Sequence, residues 1–225
     1  MINLKIIVIK NIRVLVLVFG TMFLSTGAIA GGAVGMTAAV TGVDASGYEQ
    51  LKTSGNKTTH STSETVAVPS LWIEFTNDDN GITVGLDFIP ASAEVGSGSN
   101  TGDDDAETSG TNTVTADFKN HITLYAEKTI GSSGFYIKGG LSQVTLETDD
   151  SVSTGAKYGD ESLSAYRVGL GVKRDLGTDG IFKVELEYAD YDSATFKSTG
   201  SDAVTTVELE NLDTTALRFS VGKKF

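Results

Sequence analysis

The stretch Ala216-Leu217-Arg218-Phe219-Ser220-Val221-Gly222-Lys223-Lys224-Phe225 decides the fold. Its odd positions (Leu217, Phe219, Val221, Lys223, Phe225) are apolar but for one lysine, and its even positions are polar or small. A period of two sends alternate side chains to opposite faces of a sheet, so this segment reads as a strand with one greasy and one polar face. The same alternation recurs upstream. Phe182, Val184, Leu186 and Tyr188 oppose Lys183, Glu185 and Glu187. Tyr166, Val168, Leu170 and Val172 oppose Arg167, Gly169, Gly171 and Lys173. Ile82, Val84, Leu86 and Phe88 oppose Thr83, Gly85 and Asp87. Ala116, Phe118, Ile122, Leu124 and Ala126 are set against Asp117, Lys119, His121, Thr123, Tyr125 and Glu127. Phe135, Ile137, Gly139 and Leu141 oppose Tyr136, Lys138, Gly140 and Ser142, and the phase slips near Gln143. Ala67, Pro69, Leu71, Ile73 and Phe75 mark another strand, with the face of Trp72 left open. A weak first strand falls within Met36–Tyr48, which makes eight.

The connections alternate in length. Asn77–Gly81, Gly131–Gly134 and Gly177–Gly180 are short and rich in turn formers. Glu49–Ser63, Glu94–Asn112, Asp149–Ser162 and Asp192–Asp213 are long and polar. Within the last, Val204–Leu209 partly alternates and predicts a hairpin that runs on beyond the main sheet. A soluble sandwich also alternates, with its apolar residues inward, but it needs no such regularity of turns. A transmembrane barrel has short turns at one end, long loops at the other and aromatic girdles near its strand ends. Phe75, Phe88, Tyr125, Phe135, Tyr188 and Phe225 fit the girdles. The expected fold is an all-β, eight-stranded antiparallel up-and-down transmembrane barrel.

The chain's 225 residues start with an address. Lys5, Lys10 and Arg13 precede the apolar run Val14–Leu24, and Ala28-Ile29-Ala30 then supplies a small-residue cleavage site. That order describes a secretory signal peptide. Residues 1–30 are the expected signal peptide and 31–225 the barrel domain. Its removal takes three positive charges and no acid, leaving 14 basic against 29 acidic residues, a net charge of −15. No later apolar stretch is long enough for a spanning helix. The acidity, without basic clusters, excludes nucleic acid as a partner. The absence of cysteine excludes a disulfide framework and a thiol nucleophile.

The terminal hairpin carries a family resemblance. Val184-Glu185-Leu186-Glu187-Tyr188, a polar connection and then Ala216–Phe225 resemble the last hairpin of the small OmpA/OmpX-type, porin-like outer-membrane barrels. Leu217, Phe219, Val221 and Phe225 look like the signal that the outer-membrane assembly machinery reads; Lys223 departs from that pattern. The resemblance implies a bacterial outer-membrane location in the cell envelope, with outer-membrane lipid and the assembly machinery as partners. The expected arrangement is a monomer with surface-exposed, extracellular loops and periplasmic termini. Barrels of this kind serve many roles, so function does not follow from fold.

An eight-stranded barrel has room inside only for side chains. The assigned polar faces put Glu74, Asp87, Asp117, Lys119, His121, Glu127, Lys138, Arg167, Lys173, Lys183, Glu185, Glu187, Arg218 and Lys224 in the lumen. The two signs nearly balance, and unpaired buried charge is costly, so the expected arrangement is a paired plug. A gated ion path is the alternative.

The long connections hold most of the net charge. Asp103, Asp104, Asp105 and Glu107 form an acidic loop whose spacing matches no EF-hand. It reads as a solvated surface, and no metal or cofactor is expected. For catalysis, His60 with Ser61 or Ser63 and Glu64 is the one loop candidate. Gly139-Gly140, Gly169 and Gly171 read as packing devices in a tight barrel, because no helix follows them to cradle a phosphate. The expected role is structural or surface-interactive through acidic loops, with an unnamed ligand and no enzymatic activity. A small-solute or cation-preferring porin is the alternative, and a lipid-modifying enzyme a distant one.

Overall fold

The structure, a computed structural model, describes residues 31–51, 55–90, 92–102, 110–151, 157–199 and 205–225. The expected signal peptide lies outside these residues. So do Asp103, Asp104, Asp105 and Glu107 of the acidic loop.

Ten strands are described: β1 (Gly31–Leu51), β2 (Lys57–Asn77), β3 (Ile82–Ile89), β4 (Ala93–Gly102), β5 (Gly110–Ile130), β6 (Phe135–Ser151), β7 (Glu161–Leu176), β8 (Gly180–Tyr191), β9 (Ala194–Lys197) and β10 (Thr205–Lys224). Eight of them form an antiparallel ring, β1-β2-β3-β5-β6-β7-β8-β10, which β10 closes by pairing with β1. The other two are additions to the ring, β4 pairing with β5 and β9 with β10. The short turns form as their residues require. Asn77 and Asn80 accept backbone N–H bonds through their side chains, at 3.0 Å each. Gly81 and Gly131 take the left-handed backbone conformation that closes two of the hairpins.

The ladder fixes the barrel's geometry. From Asp44 the pairing runs to Asp213, Asp190, Tyr166, Leu141, Leu124, Leu86, Ile73 and back to β1 at Val34. The stagger is the ten residues between 44 and 34. With strands ~4.8 Å apart and ~3.3 Å per residue, that stagger tilts the strands by roughly 40°.

Alternation then sorts the faces. Val34, Met36, Val40, Leu71, Ile137, Val168, Leu170, Leu186, Leu217, Phe219 and Val221 are exposed on the outside, while Glu74, Lys138, Arg167, Glu185 and Arg218 are buried within. This is the inverse of a water-soluble barrel. The outward apolar rows end in charge at both limits. At the end away from the short turns, Asp44, Asp190 and Asp213 stand side by side across β1, β10 and β8. At the turn end, Lys128, Arg174 and Lys223 face outward beside Phe75, Phe135, Phe182 and Phe225. Between Asp213 and Lys223 the tilted strand rises about 25 Å, the height of a transmembrane barrel's apolar band. Val168, 59% exposed, lies near its middle. Val168→Arg is expected to cost about 2–4 kcal/mol, measured by urea unfolding in lipid vesicles. A cost below about 0.5 kcal/mol would remove lipid from that face.

Beyond the aspartate row the polarity inverts. Val43, Phe118, Val144, Leu146, Leu163, Ala165, Ala189, Tyr191, Phe196 and Leu212 form a buried apolar cluster inside the outer part of the barrel. The strands carry polar residues outside at that level.

Several expectations are corrected. Asp117 and Lys119 do not enter the lumen. β5 carries a bulge between Lys119 and Ile122, with Asn120 at φ 53°, which flips the phase. Phe118 therefore faces inward, and Lys119 pairs with Glu147 on the outside. Near Gln143 no slip occurs: Ser142, Val144 and Leu146 are all buried, and what changes there is the polarity of the interior. Tyr125 belongs to no girdle, since it is 4% exposed and inside. The segments Glu49–Ser63 and Glu94–Asn112 are largely paired strand. They are rich in Ser, Thr and Gly on both faces, so their sequence shows no apolar alternation. Thr205 to Leu209 does continue the last strand, as the partial alternation predicts.

Candidate functional site

Seven of the eight ring strands send charged or ionisable side chains to the middle of the barrel. Near the turn end, Glu74 on β2 accepts from Lys183 on β8 and from the Tyr125 hydroxyl at 3.1 Å. Glu127 on β5 accepts from the same lysine at 2.8 and 3.0 Å, with Lys173 3.8 Å away at the edge. Above them, Glu185 accepts from Lys138 at 2.8 Å and from the Tyr136 hydroxyl at 2.9 Å. Glu187 accepts from Lys138 at 2.9 Å, from Arg218 at 3.3 Å and from Arg167. Arg218 also donates to Asp87 on β3 at 2.5 Å, and Ser70 donates to the same oxygen at 3.0 Å.

Every buried carboxylate thus meets at least one cation. Burying an ion is expensive unless it is paired and hydrogen-bonded, so the lattice is held by its own completeness. Small residues make room for it. A side chain at Gly85 would strike the Tyr125 ring, and one at Gly171 the Tyr136 ring. Below the charges, Trp72 lies inside the barrel against Gly35 and Gly222, with Lys183 5.1 Å from its ring centroid.

The expected lumen set therefore assembles, apart from Asp117 and Lys119. Lys173 sits half in it, and Lys224 meets Asp175 at the exposed rim, 2.5 Å away. Tyr125, Tyr136 and Tyr191 are members that charge counting missed. Their signal was their inward phase. The paired side chains of this lattice are almost wholly buried. Planar bilayers holding the protein are expected to show no large, stable current steps; regular single-channel openings would overturn the plug.

At the outer end of the plug the chemistry changes. Arg167 meets the His121 ring nitrogen Nε2 at 2.7 Å and donates to the Tyr191 hydroxyl at 2.9 Å. A guanidinium can only donate, so His121 accepts through Nε2 and carries its proton on Nδ1. Phe118 stacks on Tyr191 at 5.4 Å and begins the apolar cluster. A cavity lies here, lined by Arg167, Arg218, His121 and the Glu187 carboxylate and, on another side, by Val66, Val68 and Ile89.

On that side the hydrogen-bonded ladder is interrupted among the described residues, although β2 and β4 run close to each other. The β2–β3 ladder ends at the pair Leu71–Phe88. Among the described residues, β2 from Lys57 to Ser70 pairs with β1 alone, and β4 pairs with β5 alone. Pro69, which has no N–H to offer, faces outward at the last stretch of this unpaired edge. Asp44 pairs with Ser63, so Ala67 and Pro69 lie nearer the turn end than the aspartate row. The break falls within the apolar band.

The other candidates do not assemble. On β2, His60 and Glu64 share one face while Ser61 and Ser63 take the other, and all four are exposed. Among the described residues no cluster of His, Asp or Glu has the arrangement to hold a metal ion.

No family model and no curated relative matches the chain. Solved structures do. The outer membrane protein OprG from Pseudomonas aeruginosa superposes with a TM-score of 0.56 at 18% identity, over 88% of this chain and 98% of that one. The outer membrane protein AlkL, solved in lipid bilayers, gives 0.56 at 16% identity, over 89% and 93%. The fold is that of the small outer-membrane β-barrels.

Proposed function

We propose that this barrel resides in the bacterial outer membrane and carries small apolar molecules through its outer half, releasing them sideways into the membrane between β2 and β4. The observation that carries the reading is the unpaired edge of β2 within the apolar band, beside a cavity that its own Val66 and Val68 help line. The paired charges across the lumen argue against a straight polar route, and the inverted outer half replaces a polar lumen with an apolar one. An apolar solute entering from outside would part the packed apolar side chains of the outer half, then meet a floor of paired charge beside the unpaired edge of β2. The role involves no covalent chemistry.

The alternating turn lengths support an orientation with the short turns in the periplasm and the long strands outside. In that reading Leu217, Phe219, Val221 and Phe225, outward on the strand that closes the ring, address the assembly machinery.

The test is uptake of a labelled eight-carbon alkane by cells producing the protein. Val68→Trp fills the cavity beside the open edge and is expected to reduce uptake at least tenfold, while the folded barrel still migrates differently before and after boiling. Unchanged uptake by this variant would overturn the lateral route.

A second reading, recognition at the cell surface, is favoured by β2 from Lys57 to Thr65, where every residue is exposed. Replacing residues 57–62 with a short turn would abolish surface binding and leave alkane uptake intact under that reading.

A further inference from the structure

We infer that His121 is an acid-sensitive latch between the plug and the outer half of the barrel. Neutral, it holds Arg167 and pins a weak point of the wall; a proton on its ring releases both. The latch needs no solute and stands apart from the proposed route.

The ring is held as an acceptor. Arg167 donates to its Nε2 at 2.7 Å, and it lies edge-on to Phe118 and Tyr191, 6.3 Å from each. An imidazolium has no lone pair with which to accept. Protonation therefore turns this bond into a contact between two cations. The surroundings have no acid to spare. On β8, Glu187 has both oxygens taken, by Lys138, Arg167 and Arg218, and Tyr191 accepts from Arg167. On β10 the facing charge is Arg218, and it is paired with Asp87 of β3, which Ser70 also holds. Across the cavity β1 and β2 present only Ala, Val, Thr and Ser side chains, which do not titrate. β6 brings Ser142 and Val144. With His121 neutral, Lys138, Arg167 and Arg218 balance Glu185, Glu187 and Asp87. A fourth cation is unmatched, and unmatched buried charge is costly.

The backbone around the latch is weakly tied. Asn120 and His121 together oppose Val144 alone on β6, in the bulge where Asn120 takes φ 53°. On its other side His121 pairs with Ile89, the last residue of β3, and Pro90 follows without an N–H. One ladder is interrupted at this residue and the other ends there. Local opening comes first where few ladder bonds hold. The ring also lines the cavity, so on release it has free volume beside it.

A released ring takes a proton below its ordinary value of about 6.5 and the held ring does not, so opening gains up to about tenfold per pH unit below that value. The experiment is amide hydrogen exchange of the full barrel in zwitterionic lipid nanodiscs at pH 6 and pH 5, corrected for the intrinsic pH dependence of exchange. Protection at residues 118–123 is expected to fall about eightfold between the two, while residues 182–186 of β8 hold theirs. His121→Gln keeps an acceptor for Arg167 and takes no proton, so its residues 118–123 are expected to change by less than about twofold. No fall in the unmodified barrel, a fall shared by β8, or an equal fall in the variant overturns the latch. Should His121→Gln fail to fold, nitrogen NMR of the two histidine rings at pH 7.5 decides. His121 is expected neutral with its proton on Nδ1, and an imidazolium or a proton on Nε2 overturns the latch.

Discussion

Glu187→Ala is expected to destabilise the folded barrel by about 3–5 kcal/mol, the cost of stripping one partner from a buried ionic group. Three cations converge on this carboxylate: Lys138, Arg167 and Arg218. Its removal leaves them facing one another with Glu185 and Asp87 as their remaining acids. Urea unfolding in vesicles, followed by the tyrosine and tryptophan signals, measures the loss. The exposed pair Lys119–Glu147 is the control, and Glu147→Ala is expected to cost at most about 1 kcal/mol. Equal effects at the two sites would mean that the lumen is wet and its charges independently solvated.

Trp72→Ala carries the second large effect. The indole fills the turn end of the lumen, where Gly35 and Gly222 leave it room and Ala33 and Ile181 pack beside it. Truncation to alanine removes most of a large side chain from a rigid wall, at an expected cost of about 3–5 kcal/mol. Trp72→Phe is expected to cost under about 1.5 kcal/mol, because it keeps most of the volume and also removes the indole N–H, which is buried without a partner. If the two substitutions cost the same, packing does not hold the ring in place.

Much of this architecture could be read from the chain because a strand spanning lipid obeys one rule. Leu217, Phe219, Val221 and Phe225 all face outward, and Arg218 and Ser220 face in, as alternation requires. Reading failed where the rule changes. At Asn120 a residue tolerant of positive φ permits a bulge, and nothing local distinguishes it from any other polar strand residue. At Val144 and Leu146 the strand keeps its phase while its surroundings change, from lipid outside to water outside. The inversion imitates a slip. Beyond the band, β2 is built largely from Thr and Ser on both faces and is held to β1 by their ladder, which composition does not reveal. The candidate site was half visible. The charges of the plug follow from their phase, but the cavity depends on where β3 stops. Ile89 followed by Pro90 is a break that becomes meaningful only once Pro69 is known to flank the same edge.

The outward-facing charges that bound the apolar band differ in sign at its two limits. Asp44, Asp190 and Asp213 ring part of one, and Lys128, Arg174 and Lys223 stud the other. This contrast belongs to the outward faces of the band, since the turns beyond the basic limit also carry Asp78, Asp79, Asp175 and Asp179. A sheet of anionic phospholipid attracts each basic group near it by about 1 kcal/mol. Lys128, Arg174 and Lys223, which face outward at the edge of the band, are the groups through which such a leaflet would act on the barrel's orientation.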